Sequence, residues 1–185
     1  MRALLAIVCI TLSSWAHSAD SWLYSDFTGE RLYAEIHGGI GNIGLADLNF
    51  RPLEGQVSVG GFFLQGLGID LNLGTALLDD DDDGFELQIE NTVNLSLRFE
   101  SPPKDGLSAF ILVGISRFTA VQDSVNSVGQ SRTVSETFQG GSLALGLLQR
   151  IPNTRFSIVG TFRTQLVDEP IDVDTYTLGV RASWF

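Results

Sequence analysis

An acidic run between two predicted strands is the most conspicuous group of side chains that could do chemistry. Asp79, Asp81 and Asp83 alternate along it, and together with Glu90 they formally match the spacing of an EF-hand calcium loop. Residues 85–90 alternate as a strand instead of beginning a helix, so we predict no EF-hand. We expect a solvated acidic loop tip. A looser Ca²⁺ or Mg²⁺ site at these three aspartates is the alternative, because a cation would relieve the repulsion between clustered carboxylates.

His37 is the second candidate for chemistry. The sequence has two histidines, and the other, His17, lies in a segment that we expect to be removed. A hydrolytic site would need a nucleophile and an acid arranged around His37, and its neighbour on the same strand face is Glu35. We therefore predict a structural histidine in the lumen that pairs with Glu35 or with a neighbouring strand, no enzyme activity and no cofactor. An enzyme that uses His37 is the catalytic alternative.

The overall charge excludes one class of partner. The formal net charge is −11, and removal of the N-terminal segment with Arg2 makes it more negative still. A chain this acidic offers no general basic surface, so we expect no binding to nucleic acid.

The N-terminus has the pattern of a secretory signal. Arg2 precedes a short apolar run at residues 3–12, and small residues follow. We predict a removed signal peptide at residues 1–19, a periplasmic N-terminal segment at 20–30, and a single folded domain at 31–185. The only cysteine, Cys9, lies in the signal, so no disulfide is expected.

Alternation of apolar and polar residues with a period of two dominates the rest of the chain, and it indicates strands. The clearest example, residues 85–100, is longer than the usual strand of a soluble protein. The segments with this pattern predict eight strands at residues 31–40, 56–63, 69–77, 85–99, 107–118, 138–149, 155–166 and 173–185.

The connections between these strands differ systematically in length. Short connections with turn-forming residues are predicted at 64–68, 101–106 and 151–154. Longer polar connections alternate with them, at 41–55, 79–84, 119–137 and 167–172. Turns at one end and loops at the other are typical of transmembrane barrels. We therefore predict an all-β fold, an eight-stranded antiparallel up-and-down transmembrane β-barrel.

The polar face of the strands is predicted to point into the barrel and the apolar face toward lipid. The polar set includes charges of both signs, which can pair across the narrow lumen of an eight-stranded barrel; its charged members are Arg31, Glu35, Asp70, Glu86, Glu90, Arg98, Arg163 and Arg181. Aromatic residues near strand ends, Phe138 among them, predict interfacial girdles. The alternative is a soluble periplasmic lipocalin-like barrel that binds an apolar ligand inside.

The last strand, residues 176–185, ends in Trp184 and Phe185 after alternating apolar residues. It resembles the closing strand of bacterial outer-membrane barrels, and the whole chain resembles the OmpA/OmpX-like family of small eight-stranded barrels. Trp184 is in register with the apolar set, whereas Phe185 is one residue out. The resemblance implies Trp184 and Phe185 as an assembly signal read by the barrel-assembly machinery.

The same resemblance implies a location and a role. It implies the outer membrane of a Gram-negative cell, with both termini in the periplasm and with lipid and lipopolysaccharide as surroundings. We predict a structural or surface-interaction role carried by the extracellular loops, with no open pore. The longest predicted loop, 119–137, is the candidate for contact with an extracellular partner.

Overall fold

The computed structural model describes residues 32–45, 48–78, 80–82, 85–125, 131–166 and 171–184. The predicted signal peptide at 1–19 and the periplasmic segment at 20–30 lie outside the described residues, and so they stay predictions. The described part of the chain has no helix long and apolar enough to cross a membrane.

Eight antiparallel strands form a closed barrel, each paired with its neighbours along the chain, and β1 closes the sheet against β10 from Leu32 with Trp184 to Leu45 with Ile171. The barrel strands are β1 (Leu32–Leu45), β3 (Leu53–Leu64), β4 (Leu67–Leu78), β6 (Phe85–Glu100), β7 (Leu107–Val125), β8 (Ser131–Arg150), β9 (Phe156–Leu166) and β10 (Ile171–Trp184). Two short strands, β2 (Leu48–Phe50) and β5 (Asp80–Asp82), pair with β1 and β6. The predicted fold class is therefore confirmed.

Burial alternates along the strands because successive side chains point to opposite faces of the wall. The outward set is apolar and exposed, for example Ile36, Ile115 and Leu178. The inward set is mostly polar and buried. A soluble lipocalin-like barrel needs the reverse arrangement, so that alternative was wrong.

The short connections lie at one end of the barrel, as predicted. At one end, which we call the turn end, short connections join β3 to β4, β6 to β7 and β8 to β9. At the β6–β7 turn, Asp105 and Gly106 have positive φ angles of 55° and 81°, and Lys104 and Leu107 exchange backbone hydrogen bonds of 2.9 Å. An Asp-Gly pair supplies the backbone conformation that a tight hairpin needs. Leu32 and Trp184 lie at the same end. We call the opposite end the loop end.

The predicted loop at 119–137 was largely wrong. Its flanks are paired strand, from Thr119 with Thr137 to Val125 with Ser131, so β7 and β8 form a long hairpin. The polar Ser, Thr and Gln residues favoured a loop because a strand with one buried face usually has an apolar residue at every second position. The predicted acidic loop at 79–84 likewise contains β5, which pairs with the start of β6.

Two further side-chain assignments were wrong. Glu90 was predicted to face the lumen, but the pairing of β6 with β7 shifts between Ile89 and Asn91, and the Glu90 side chain is exposed. A bulge adds one residue to a strand and redirects its side chains, which alternation cannot reveal. Phe138 was predicted in an aromatic girdle, but it packs on the buried Phe118 at a centroid distance of 5.1 Å.

Candidate functional site

Arg98, on β6, is the centre of a charged network inside the turn-end half of the barrel. Its side chain is 0% exposed. The guanidinium donates a hydrogen bond of 2.9 Å from Nε to Glu100 Oε2, and Nη1 lies 3.3 Å from Glu35 Oε1 and 3.7 Å from Asp70 Oδ2. Three carboxylates from three strands therefore surround one buried cation. A buried charge needs such compensation because removing it from water is costly.

Arg181, on β10, links the same carboxylates to the closing strand. Its Nε donates to Glu35 Oε1 at 2.7 Å and its Nη1 donates to Glu100 Oε2 at 2.9 Å. His37 Nε2 lies 2.9 Å from Glu35 Oε2, so Glu35 is the partner of the two that were predicted. We call Glu35, His37, Asp70, Arg98, Glu100 and Arg181 the luminal charge network. It ties together β1, β4, β6 and β10.

Rings fit against glycines on the neighbouring strand beside this network. Tyr33 pairs with Gly60, and its hydroxyl donates to Asp70 Oδ2 at 2.7 Å. A Cβ at Gly60 would collide with the Tyr33 ring, and one at Gly146 would collide with Phe110, its partner in register. The Arg98 guanidinium lies 3.8 Å from the Phe110 ring centroid, which adds a cation–π contact to the ion pairs.

A chain of side-chain amides crosses three strands next to the charge network. Asn94 Nδ2 donates to Asn72 Oδ1 at 2.9 Å, and Asn72 Nδ2 donates to Gln56 Oε1 at 3.2 Å. Gln56 Nε2 then donates to Glu54 Oε2 at 3.0 Å. Every amide donates in the same direction, toward a carboxylate that accepts the last bond. Such a chain satisfies buried polar groups and fixes side-chain rotamers across β6, β4 and β3.

Two buried apolar clusters complete the interior. The loop-end cluster contains Ile43, Phe50, Phe118, Ala120, Ile171 and Val173. The second lies on the β7–β9 wall and contains Phe110, Leu112, Ala144, Leu148 and Val159. The described lumen is thus filled by ion pairs, amides and packed apolar side chains, which is expected of an eight-stranded barrel. This arrangement binds strands to one another and buries the charged groups of the network, except that Glu100 is partly exposed.

The predicted metal residues Asp79, Asp81 and Asp83 lie in a part of the chain whose side chains are not described. Asp79 and Asp83 lie outside the described residues, and the side chain of Asp81 is not described, although its backbone pairs with Glu86. Within the part of the chain that the structure describes, no group of three His, Cys, Asp or Glu residues is arranged to hold a metal ion.

Of the predicted assembly signal, Trp184 is described and Phe185 is not. Trp184 points outward, as do Tyr176, Leu178 and Val180 on the same strand. This agrees with its predicted register at the turn end. Its role in assembly stays a prediction.

No protein-family model and no curated protein sequence matches the chain. Solved structures do. Neisserial surface protein A aligns with a TM-score of 0.63 at 13% identity, over 83% of this chain and 97% of that one. Ail of Yersinia pestis, in complex with the heparin analogue sucrose octasulfate, aligns with a TM-score of 0.61 at 16% identity, over 84% of this chain and 100% of that one. The outer membrane protein OprG from Pseudomonas aeruginosa aligns with a TM-score of 0.60 at 11% identity, over 86% and 99%.

The chain has the fold of a small outer-membrane β-barrel. The predicted resemblance to OmpA/OmpX-like barrels is thereby confirmed as a likeness of fold. Identities this low carry no residue roles from the neighbours to this chain.

Sequence reasoning missed the way in which the luminal residues connect. Alternation placed Glu35, Asp70, Arg98 and Arg181 on the inner face correctly, but it did not show which carboxylate pairs with which guanidinium. Glu100 and Tyr33 were not singled out at all, although Glu100 contacts both guanidiniums. A usable signal was present: Glu100 has the same parity as Arg98, two residues before it.

Proposed function

We propose that this chain is an exported, integral outer-membrane barrel whose role is contact with other molecules at the cell surface, without catalysis and without an open pore. The loop end would face the exterior and the turn end the periplasm. The outward apolar face and the fold neighbours support the membrane location. The engagement of His37 with Glu35 supports a structural role for the one histidine on the mature chain.

The observation that carries a surface role is the long β7–β8 hairpin. The two strands stay paired up to Val125 and Ser131, whereas the first pairing of β8 with a described residue of β9 is Gly141 with Leu166. Residues 131–140 thus pair with β7 on one side, and the described part of β9 does not reach their other side. Unpaired backbone groups along a strand edge are a template for an added strand. This edge is the part of the chain best suited to an extracellular protein partner.

The negative charge of the chain limits the kind of extracellular partner that it can bind. The chain is acidic, and the loop end carries acidic residues that include Asp172, Asp174 and Glu136. Like charges oppose the approach of a polyanion. Ail was solved with a sulfated sugar, but we propose a protein segment with neutral or basic side chains for this chain.

The absence of an open pore is proposed from the filled interior. The luminal charge network occupies the turn-end half, and the loop-end apolar cluster lies above it. A pore would require several of these side chains to leave their partners together.

A first experiment tests the membrane location. The expressed protein should fractionate with the outer membrane and should change its gel mobility on heating. Liposomes that contain the folded protein should not swell when they are diluted into a solution of small sugars. Recovery in the soluble periplasm without detergent would contradict the proposal, and rapid sugar entry would contradict the closed lumen.

A second experiment tests the surface role. We would shorten the hairpin by deleting residues 121–135 and joining the ends through an Asn-Gly turn, which suits a two-residue hairpin. Cells that display the full chain should attach to an epithelial monolayer better than cells that display the shortened one, with both proteins heat-modifiable. The matched control replaces 151–154, at the opposite end, with the same turn. Equal attachment by all three strains would refute a hairpin-based role.

A further inference from the structure

Arg117 is a basic residue on the outer wall of the barrel, where most side chains are apolar. Its side chain is exposed on β7, in register between Val93 on β6 and Gln139 on β8. Among the described strand residues whose side chains point outward, it is the one basic residue. It forms no ion pair with any residue that the structure describes. A cation facing the membrane at its rim needs an anion or water.

A groove lies directly beneath this side chain. It has a volume of about 630 Å³ and is lined by Val93, Leu95, Ile115, Ser116, Arg117, Gln139 and Gly140. Its lower part is apolar, and Ile115 is 65% exposed. Its upper part presents the guanidinium and a side-chain amide. On β8 the outward position opposite Ile115 is Gly141, so no side chain of that strand covers this part of the groove.

The height of Arg117 matches the membrane interface. The outward residues of β7 from Leu107 to Ile115 are all apolar, and the next outward residue, Arg117, is the first polar one. Ten residues of a strand tilted by about 40° rise roughly 25 Å, the height of the apolar band of an outer-membrane barrel. On β6 and β8 the polar series begins at the same level, with Asn91 and Gln139, which are in register with Thr119 and Arg117.

Charge complementarity identifies the occupant. An amphiphile with a phosphate above and acyl chains below matches a guanidinium above an apolar groove, since Arg binds phosphate through parallel hydrogen bonds. The outward carboxylates Asp172 and Asp174 lie on β10, away from this wall. Exposed Glu90 on β6 and Glu136 on β8 lie on the loop-end side of Arg117, so an anion bound from the membrane side approaches the guanidinium first.

We propose that this groove binds the phosphorylated glycolipid of the outer leaflet, lipopolysaccharide, with Arg117 on a lipid A phosphate. Gln139 donates to the same headgroup, and Val93, Leu95 and Ile115 contact an acyl chain. The inference rests on the outer-membrane location proposed above.

The test uses the full mature chain folded in nonionic detergent, with its heat-modifiable migration checked first. Native mass spectrometry would follow binding of purified bisphosphorylated lipid A, dephosphorylated lipid A and phosphatidylglycerol. The variants are Arg117→Gln and, as a matched control, Arg155→Gln, which removes an exposed arginine at the turn end. Loss of a charge-assisted contact should weaken binding of bisphosphorylated lipid A about tenfold in Arg117→Gln. Arg155→Gln should bind as the unchanged chain does.

The outcomes separate the proposals. Dephosphorylated lipid A should bind about tenfold more weakly and should be insensitive to Arg117→Gln. Equal binding by the two variants would overturn the site, and equal binding of phosphatidylglycerol and lipid A would overturn the choice of lipid. In both cases a heat-modifiable protein would leave the outer-membrane proposal standing. Loss of heat-modifiable migration in the unchanged chain would contradict that proposal instead.

Discussion

Replacing Arg98 by methionine should destabilise the barrel strongly. Methionine keeps an unbranched side chain of similar length, so the main loss is the charge. Arg181, which contacts Glu35 and Glu100, is then the remaining arginine of the network, and one net negative charge becomes two when His37 is neutral. Leaving a buried charge without its partner costs about 3–5 kcal/mol. We expect a loss of that size in the free energy of unfolding.

A second substitution makes the prediction specific to electrostatics. Asp70 has Arg98 as its one ion-pair partner among the described residues, at 3.7 Å, and it also accepts the Tyr33 hydroxyl bond. Asp70→Asn should therefore destabilise the unchanged protein, yet it should stabilise Arg98→Met by at least about 1 kcal/mol, because it removes the stranded charge. Such a reversal of sign is not expected from loss of packing alone.

The measurement is urea unfolding of the protein refolded in lipid vesicles, followed by tryptophan fluorescence, since Trp184 faces outward. Arg155→Met, at an exposed position, serves as the control and should change the free energy by no more than about 0.5 kcal/mol. The reasoning fails if Arg98→Met costs under about 1 kcal/mol, or if Asp70→Asn is equally harmful in both backgrounds.

Three other perturbations have defined outcomes. Gly60→Ala should lower the free energy of unfolding by about 1–3 kcal/mol because the added Cβ collides with Tyr33. Gly160→Ala should be nearly neutral, because nothing lies within 4 Å of a Cβ there. Similar urea midpoints for the two variants would contradict this. If the acidic run at 79–83 binds Ca²⁺, millimolar Ca²⁺ should raise the thermal unfolding temperature, and a variant with asparagines there should lose the shift; no shift in the unchanged chain would end the metal hypothesis. Trp184→Ala should slow folding by reconstituted assembly machinery more than it slows spontaneous folding into detergent, and an equal slowing would argue against an assembly signal.

The sequence predicted the barrel well because the pattern that a membrane barrel requires is local to each strand. Each strand must alternate, so Leu178 and Val180 indicate their face without knowledge of any other strand. The strand ends were harder to predict. Past residue 118 the sequence no longer alternates clearly between apolar and polar residues, and the long hairpin was therefore predicted as a loop.

The luminal contacts were beyond reach for a different reason. Which carboxylate meets which guanidinium depends on register and tilt across strands far apart in sequence, as with Glu35 and Arg181. One bulge residue, Glu90, also shifted the pairing of β6 with β7, so that Ile89 pairs with Ala120 and Asn91 with Thr119. Neither feature leaves a local pattern.

The glycines that accommodate Tyr33 and Phe110 have a consequence for tracing the ancestry of this chain. Each ring lies opposite its glycine in register, Tyr33 with Gly60 and Phe110 with Gly146, so enlarging the glycine requires shrinking the ring. Substitutions at the two positions are therefore expected to be inherited together. Two sequences can diverge until their overall similarity is no longer detectable. A ring on one strand opposite a glycine on the next, kept or exchanged between the two positions, can still show that they share an ancestor.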